Sequence, residues 1–244
     1  MQEPFPTERT SIPARSGLLT CLLAMLGAGC AGAEGVRDPF SETGELVALS
    51  GGDAGARRAC IVCHGLRGEG DGELTPRLAG LPAGYLAKQL RDYADGRRSD
   101  PQMRPIARAL DARAQLAVAD YYASLPRTPP PPSTGRLPGV GEALYRRGAP
   151  ERGIPACGEC HGARGEGGPP ANPPLAGQPA GYLHEQMERW RLAKRRNDPM
   201  NVMLEISRRL TPSEAQAVSQ YSAALPASPA GPPGAPSAGP GAFP

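Results

Sequence analysis

The 244-residue sequence has few of the large apolar side chains that normally form a protein interior. Aromatic residues make up only 5% of the chain, with three Phe and one Trp, whereas there are 32 Gly and 30 Pro. A chain with this composition has difficulty building ordinary hydrophobic cores from its own side chains. We therefore expect a bound group to fill part of the interior.

Excess charge of one sign and β-type alternation are also missing from the sequence. The formal net charge is +3 and no long basic run with interleaved aromatics occurs, which argues against nucleic-acid binding. Apolar residues recur at helical spacing, for example at Leu116, Ala119 and Ala123, and Asp111 and Thr211 are suitable helix starts. The sequence therefore predicts an all-α protein that does not bind nucleic acid.

The N-terminal segment has the features of an export signal. Two arginines and a short apolar run over residues 17–29 are followed by small residues suited to cleavage. The apolar run is too short for a comfortable membrane span. We predict a signal peptide over residues 1–33 and a periplasmic protein. The alternatives are a lipid anchor on Cys30, which would hold the protein at a membrane surface, and a retained anchor helix.

Cysteine is scarce outside two short motifs. Of the six cysteines, two lie in the N-terminal segment, and the other four are Cys60, Cys63, Cys157 and Cys160. No cysteine remains for a catalytic thiol or for a separate structural disulfide.

The chain is a tandem repeat. Residues 76–90 match residues 173–187 at an offset of 97, and residues 103–110 match residues 203–210 at an offset of 100. An ordered series of matches indicates a duplication, with a small insertion in the second copy.

The composition between and after the copies sets the predicted domain boundaries. A proline-rich stretch favours an extended, semi-rigid spacer, and a Pro/Gly/Ala-rich end without periodicity favours disorder. We predict a first domain over 34–127, a linker over 128–138, a second domain over 139–226 and a disordered tail over 227–244.

Each copy carries a CxxCH motif, "CIVCH" in the first and "CGECH" in the second. On a helical turn, cysteines three apart face the same way, so each can form a thioether with one vinyl group of a haem. The next residue then points its imidazole at the iron, which is the pattern of c-type haem attachment. The sequence predicts two haem c groups. Their thioether residues are Cys60, Cys63, Cys157 and Cys160, and their first axial ligands are His64 and His161.

Two other CxxC chemistries explain the motifs less well. A thioredoxin-like dithiol needs a βαβ context, which the sequence lacks. A Cys₄ zinc site would use both pairs together and would leave the two adjacent histidines and the repeated helical pattern unexplained.

The second axial position of each iron is usually taken by Met, His or Cys, or is open. His184 is the only histidine outside the motifs, and its counterpart in the first copy is Ala87. Met103 and Met203 occupy matching repeat positions, and each is followed by two residues and then Ile. We predict that both are iron ligands in loops before the final helix of their copy, with Met200 as the rival in the second copy.

Residues 41–226 resemble a dihaem cytochrome c of the c4 type, which consists of two fused class I cytochrome c domains. The resemblance is carried by the two CxxCHG motifs, the PxLAGxPAGYL segment of both halves and the Met-x-x-Ile segments. It implies two tandem all-α domains, His/Met ligation and periplasmic electron transfer. It also implies that the carbonyls of Pro76 and Pro173 hold the two proximal imidazoles.

Iron with both axial positions filled is closed to substrate, so we expect an electron-transfer protein rather than an enzyme. We expect a quinol-oxidising complex or a dehydrogenase as the electron donor, and a membrane-bound terminal oxidase as the acceptor. One alternative is a dedicated haem subunit of a dehydrogenase or oxidase complex. The other is a dihaem peroxidase, which needs an open or displaceable iron site.

Overall fold

A computed structural model describes residues 43–127, 139–168 and 172–226 of the chain. These ranges contain ten α-helices and short 3₁₀ turns, with two isolated β-bridges and no strand. The prediction of an all-α protein is therefore confirmed. The predicted signal peptide, linker and tail lie outside the described residues. Among the helices of the described ranges, none combines the length and the hydropathy of a membrane span.

The same order of five helices occurs in both halves, so the sequence repeat is also a structural repeat. The helices of the first half are α1 Gly44–Ser50, α2 Cys60–His64, α3 Ala83–Ala94, α4 Met103–Ala109 and α5 Ala112–Ser124. Those of the second half are α6 Gly139–Arg147, α7 Cys157–His161, α8 Ala180–Arg191, α9 Val202–Arg209 and α10 Pro212–Ala224.

The last helix of each half begins at the polar residue that the sequence predicts. The Asp111 side chain accepts a hydrogen bond from the Ala114 N–H at the start of α5. Thr211 and Glu214 form a capping box at the start of α10, in which each side chain accepts from the other residue's N–H. These bonds satisfy N–H groups that have no partner within the helix.

The segments that carry the two methionines are helical, which corrects the prediction that they are loops. α4 begins at Met103, and Met203 is the second residue of α9. The Asp100 carboxylate accepts from the Met103 N–H and the Asp198 carboxylate accepts from the Met203 N–H, both at 2.8 Å. Because these carboxylates satisfy free N–H groups of the first turn, each short helix has a fixed start.

The first and last helices of each half approach very closely at a glycine. A Cβ atom built on Gly44 would lie 1.9 Å from the Ala117 carbonyl oxygen of α5. At the equivalent crossing of α6 and α10, a Cβ on Gly141 would lie 2.3 Å from the Ala217 carbonyl oxygen. Only glycine allows the two backbones to pack this closely.

The two halves pack directly against each other. Arg98 and Arg195 form an antiparallel bridge between the segments that follow α3 and α8. The Arg77 N–H donates to Gln178 Oε1 at 3.0 Å, and Gln178 Nε2 donates to the Arg77 carbonyl at 2.9 Å. Both contacts are buried, so the halves share an interface that excludes water.

Candidate haem-binding sites

Each half contains a cavity beside its CxxCH helix. The first cavity has a volume of about 400 Å³ and the second about 320 Å³. The motif residues lie in the walls: Cys60, Cys63 and His64 in the first cavity, and Cys157, Cys160 and His161 in the second. A concave, mainly apolar cavity with a few directed polar groups is typical of a site for a small organic cofactor.

A proline carbonyl holds the histidine ring in each half. His64 Nδ1 lies 2.9 Å from the Pro76 carbonyl oxygen, and His161 Nδ1 lies 2.9 Å from that of Pro173. A carbonyl oxygen can only accept, so Nδ1 carries the proton and Nε2 is free to bind a metal. Burial lowers the pKa of both histidines, while the proline carbonyls raise it, and burial is the larger effect. Both rings are therefore neutral ligands at physiological pH.

The four motif cysteines are free thiols that face into or beside the cavities. Cys60 and Cys157 are partly buried, whereas Cys63 and Cys160 are exposed. Burial raises the pKa of the Cys60 thiol and raises that of Cys157 to about 11. Reactive dithiols have a lowered thiol pKa, so this environment does not fit a thioredoxin-like function.

The two cysteine pairs lie in different cavities, which does not fit a shared Cys₄ zinc site. Among the described residues, no group of three or more His, Cys, Asp and Glu side chains could hold a metal ion.

The two predicted methionine ligands lie in the same cavities as the histidines. Met103 is partly buried in the wall of the first cavity, and Met203 is partly buried in that of the second. Met200 also contacts the second cavity, but its side chain is 90% exposed and its backbone is left-handed, with φ 53°. The structure thus places Met203 in the cavity wall and Met200 at the rim.

Each cavity is also lined by residues from the other half, and the sequence did not predict this contribution across the interface. Tyr182 and Gln186 of the second half line the first cavity, and Tyr85 and Gln89 of the first half line the second. Tyr85 and Tyr182 lie in the PAGYL segment that both halves share. The signal that could have identified Gln89 and Gln186 is their identity at an offset of 97, because the residues next to them differ between the two helices.

Each cavity has a buried arginine in its wall, and its charge bears on whether the cavity fits haem. Arg98 and Arg195 are 3% and 4% exposed and line the first and second cavity respectively. Arg98 Nη2 donates to Tyr182 Oη and Gln186 Oε1, both at 2.8 Å, and Arg195 Nη1 donates to Gln186 Oε1 at 2.9 Å.

Neither arginine forms a salt bridge with a carboxylate of the described residues, although a buried cation without an anion is unfavourable. Haem carries two propionate carboxylates, which would supply that anion. The charge of the interior therefore fits haem, as do the cysteine and histidine positions.

The comparisons with known proteins agree with this site. The cytochrome c family model matches residues 51–121 and 141–224, which is more than half of the chain. The thiosulfate dehydrogenase electron acceptor of Stutzerimonas stutzeri is 44% identical over 184 residues, which cover 74% of this chain and 85% of that protein.

Two solved structures share the fold of this chain. Reduced recombinant cytochrome c4 from Pseudomonas stutzeri is 30% identical with a TM-score of 0.61, covering 68% of this chain and 93% of that one. A thiosulfate dehydrogenase from Marichromatium purpuratum is 38% identical with a TM-score of 0.64. The match covers 76% of this chain but only 40% of that chain, so this chain spans less than half of its length.

The electron acceptor and the cytochrome c4, which both match this chain over most of their own length, are electron-transfer proteins, and the two family matches fall on the two halves that contain the cavities. The protein carries electrons rather than acting as an enzyme, and its cofactors are two haem c groups. The chain belongs to the cytochrome c family and is a dihaem cytochrome of the c4 type.

Proposed function

We propose that this cytochrome is a periplasmic carrier that accepts single electrons from a thiosulfate-oxidising dehydrogenase and delivers them to a respiratory acceptor such as a terminal oxidase. The observation that carries electron transfer is the pair of CxxCH histidines, each of which faces a cavity and is fixed by a proline carbonyl. The likeness to a thiosulfate dehydrogenase electron acceptor supports the choice of donor. The export signal predicted over residues 1–33 supports the periplasm.

The residues of each site have distinct functions in this proposal. The cysteines would attach the haem covalently, at Cys60 and Cys63 in the first half and at Cys157 and Cys160 in the second. His64 and His161 would bind the irons through Nε2, and Met103 and Met203 would bind them through sulfur. The haem supplies a one-electron Fe(III)/Fe(II) couple, and thioether ligation raises its potential because sulfur favours Fe(II).

The protein matrix tunes this couple without taking part in chemistry. The Pro76 and Pro173 carbonyls fix the orientation of the imidazoles and their basicity as ligands. Arg98 and Arg195 place positive charge beside the cavities, which stabilises the reduced iron because reduction adds negative charge. Both effects come from the fold of this chain alone and do not require a bound partner.

A second candidate is a dedicated haem subunit that stays bound to its dehydrogenase. The observation that favours it is the match to part of a solved thiosulfate dehydrogenase chain. The two candidates differ in the lifetime of the complex and not in the chemistry of the haems. Gel filtration of a cell extract separates them, since a subunit elutes with the dehydrogenase and a carrier elutes alone.

The donor is tested by mixing the oxidised, haem-loaded chain with purified thiosulfate dehydrogenase and thiosulfate. We expect the absorption bands of both haems to change to the reduced form, and no change when either enzyme or thiosulfate is omitted. Failure of reduction, together with rapid reduction by a quinol-oxidising complex, would contradict the assigned donor and favour the other one.

A further inference from the structure

Each methionine helix begins at a carboxylate that uses only one of its two oxygens for the helix. Asp100 Oδ1 accepts from the Met103 N–H, and Asp198 Oδ2 accepts from the Met203 N–H, both at 2.8 Å. Both carboxylates lie in the wall of the cavity of their own half. The position of each methionine therefore depends on what holds the other carboxylate oxygen.

The second oxygen of Asp100 is held from the other half of the molecule. Arg189 of α8 places Nη2 3.1 Å from Asp100 Oδ2, and both side chains are 20% exposed. Nη1 of the same guanidinium donates to the Ser99 carbonyl, and Nη2 also contacts Glu185 on its own helix. Arg189 thus holds two consecutive residues of the first half directly before α4.

The second oxygen of Asp198 is held from within its own half. Trp190, the next residue of α8, donates from Nε1 to Asp198 Oδ1 at 2.8 Å. The Arg195 guanidinium lies 3.9 Å from the centre of the Trp190 ring, which fixes the indole from its face. Between Asp198 and Met203 the chain makes the turn with two left-handed residues, so the carboxylate also ties a strained segment to α8.

The equivalent positions of α3 in the first half cannot make these contacts. Asp92 corresponds to Arg189, and a carboxylate cannot pair with Asp198. Tyr93 corresponds to Trp190 and has no ring N–H, and its ring lies 4.5 Å from the Arg98 guanidinium instead. Both carboxylates are therefore held by one helix, α8, through two adjacent residues.

We propose that Arg189 and Trp190 are positioning residues for the sulfur ligands of different haems. Arg189 acts on Met103 across the interface, and Trp190 acts on Met203 within its own half. Hydrogen bonds to a carboxylate are strong and directional, so they limit the movement of the first helical turn and of the methionine on it. This inference rests on the methionine ligation given under Proposed function.

The test measures how easily imidazole displaces each methionine from the oxidised, haem-loaded chain. The weak red sulfur–iron absorption disappears as imidazole binds, and its midpoint gives the strength of methionine ligation. In Met203→Ala the remaining band belongs to the first haem, and in Met103→Ala it belongs to the second. A full-strength band in either variant would contradict the methionine ligation itself, and this inference with it.

Arg189→Gln should affect the first haem alone. In the Met203→Ala background we expect the imidazole midpoint to fall at least about threefold, because a hydrogen bond to a charged group is lost. In the Met103→Ala background we expect no change. Arg189→Lys keeps the positive charge and should give an intermediate midpoint for the first haem.

The matched control is Arg191→Gln, which removes the same charge from the same helix. The Arg191 guanidinium bonds only to Glu188 of α8 and lines neither cavity, so both midpoints should stay unchanged. An equal fall of the first midpoint in Arg191→Gln and Arg189→Gln would show that net charge alone is responsible and would overturn the assignment of Arg189.

Trp190→Phe should give the opposite result, with the second haem affected alone. Phenylalanine keeps a ring beside Arg195 but lacks the N–H, so we expect the midpoint of the second haem to fall at least about threefold. This arm is decisive even if Arg189→Gln does not fold. Unchanged midpoints in folded Arg189→Gln and Trp190→Phe chains, with the methionine bands assigned as expected, would overturn this inference alone. An equal fall at both haems would show a general loosening of the interface and would also overturn it.

Discussion

The two halves share their haem-facing framework but differ in charge where they meet. In both, a proline carbonyl lies 2.9 Å from the histidine ring nitrogen. By contrast, Lys88 and Asp92 of the first half correspond to Glu185 and Arg189 of the second, so both charges are reversed. After duplication, the sites kept the geometry that the cofactor needs, while the interface became asymmetric.

The reversed charges have matching partners across the interface. Asp92 accepts a hydrogen bond from Asn197 Nδ2 at 2.8 Å, and Arg189 lies 3.1 Å from the Asp100 carboxylate. If the first half met a second copy of itself, Asp92 would face Asp100 instead of Asn197. The interface therefore favours the pairing of unlike halves over the pairing of like halves.

The methionine segments differ as well. The second half has an insertion that forms the 3₁₀ turn Pro199–Asn201, in which Met200 and Asn201 have positive φ values of 53° and 58°. A bulky residue in this region is strained. Because Met203 follows a constrained turn and Met103 does not, we expect the two haems to have different potentials.

The largest expected effect comes from removing a sulfur ligand. Met203→Ala should remove the weak red sulfur–iron absorption of the second haem and lower its potential by on the order of 0.1 V, because axial ligands set the potential. Met103→Ala should do the same to the first haem. Redox titration followed by absorption spectroscopy measures both. Met200→Ala is the control and should change neither band. Loss of the band in Met200→Ala instead would reassign the ligand.

The next effect tests whether both halves depend on the same close helix crossing. Gly44→Ala and Gly141→Ala should each lower the free energy of unfolding by about 3 kcal/mol, because the new Cβ would overlap a backbone carbonyl. The loss should be larger at Gly44, where the approach is closer. Urea unfolding measures it. Gly84 on α3 has no neighbour near its Cβ position, so Gly84→Ala should be neutral or stabilising. Equal behaviour of all three variants would contradict the crossing.

A smaller effect tests the reversed charges. Arg189→Asp should lower the free energy of unfolding by about 2 kcal/mol, since it places two carboxylates together in a partly buried position. The double variant D100R/R189D restores opposite charges and should recover part of the loss. A double-mutant cycle from urea unfolding gives the coupling between the two positions. A coupling near zero would mean that this ion pair does not select the pairing of the halves.

The smallest effect concerns the start of α10, where Thr211 and Glu214 form a capping box. The equivalent helix of the first half, α5, has only the single hydrogen bond to Asp111. The Arg152 guanidinium lowers the pKa of the Glu214 carboxyl to about 2. A folded-state pKa below the unfolded value of about 4.3 stabilises the protein above that pH, and this stabilisation is lost as the pH falls towards 2. We expect about 1 kcal/mol, because the pair lies near the surface.

Urea unfolding at pH 7 and pH 3 measures this contribution. Glu214→Gln should lower stability at pH 7 and reduce the difference between the two pH values. Glu205 has only long, exposed ion pairs, so Glu205→Gln is the control and should change the free energy of unfolding at pH 7 by less than Glu214→Gln does. An identical pH dependence in the unmodified chain and Glu214→Gln would contradict the assignment.

Short motifs and the repeat predicted most of the architecture. The CxxCH spacing predicted two haems because it is a local pattern, and the helix starts at Asp111 and Thr211 were predicted because capping depends on neighbouring residues. The two-domain all-α fold followed from the duplication. These features depend on residues close together in sequence.

Features set by longer-range packing were not predictable. Met103 and Met203 were predicted to lie in loops, but they lie at the starts of helices whose first N–H groups donate to the Asp100 and Asp198 carboxylates. Leu116 is one of the apolar residues whose spacing predicted the α5 helix, yet it is 50% exposed.

Leu116 is exposed because a neighbouring residue of α5 takes the buried position. Gln115 is buried instead, because its amide donates to the carbonyls of Ala107 at 2.9 Å and Leu110 at 3.1 Å. The face that a helix buries depends on its neighbours in space, which a single sequence does not specify.

Each half of this chain has its own haem site, and the two haems should differ in potential. A pyridine haemochrome assay and a spectroelectrochemical titration of the intact chain together measure the number of haems and their potentials. We predict two c-type haems per chain and two one-electron steps at different potentials, of which only one shifts in Met203→Ala. One haem per chain, or a single one-electron step that accounts for all of the haem absorbance, would show that the two halves do not hold two distinct haem couples.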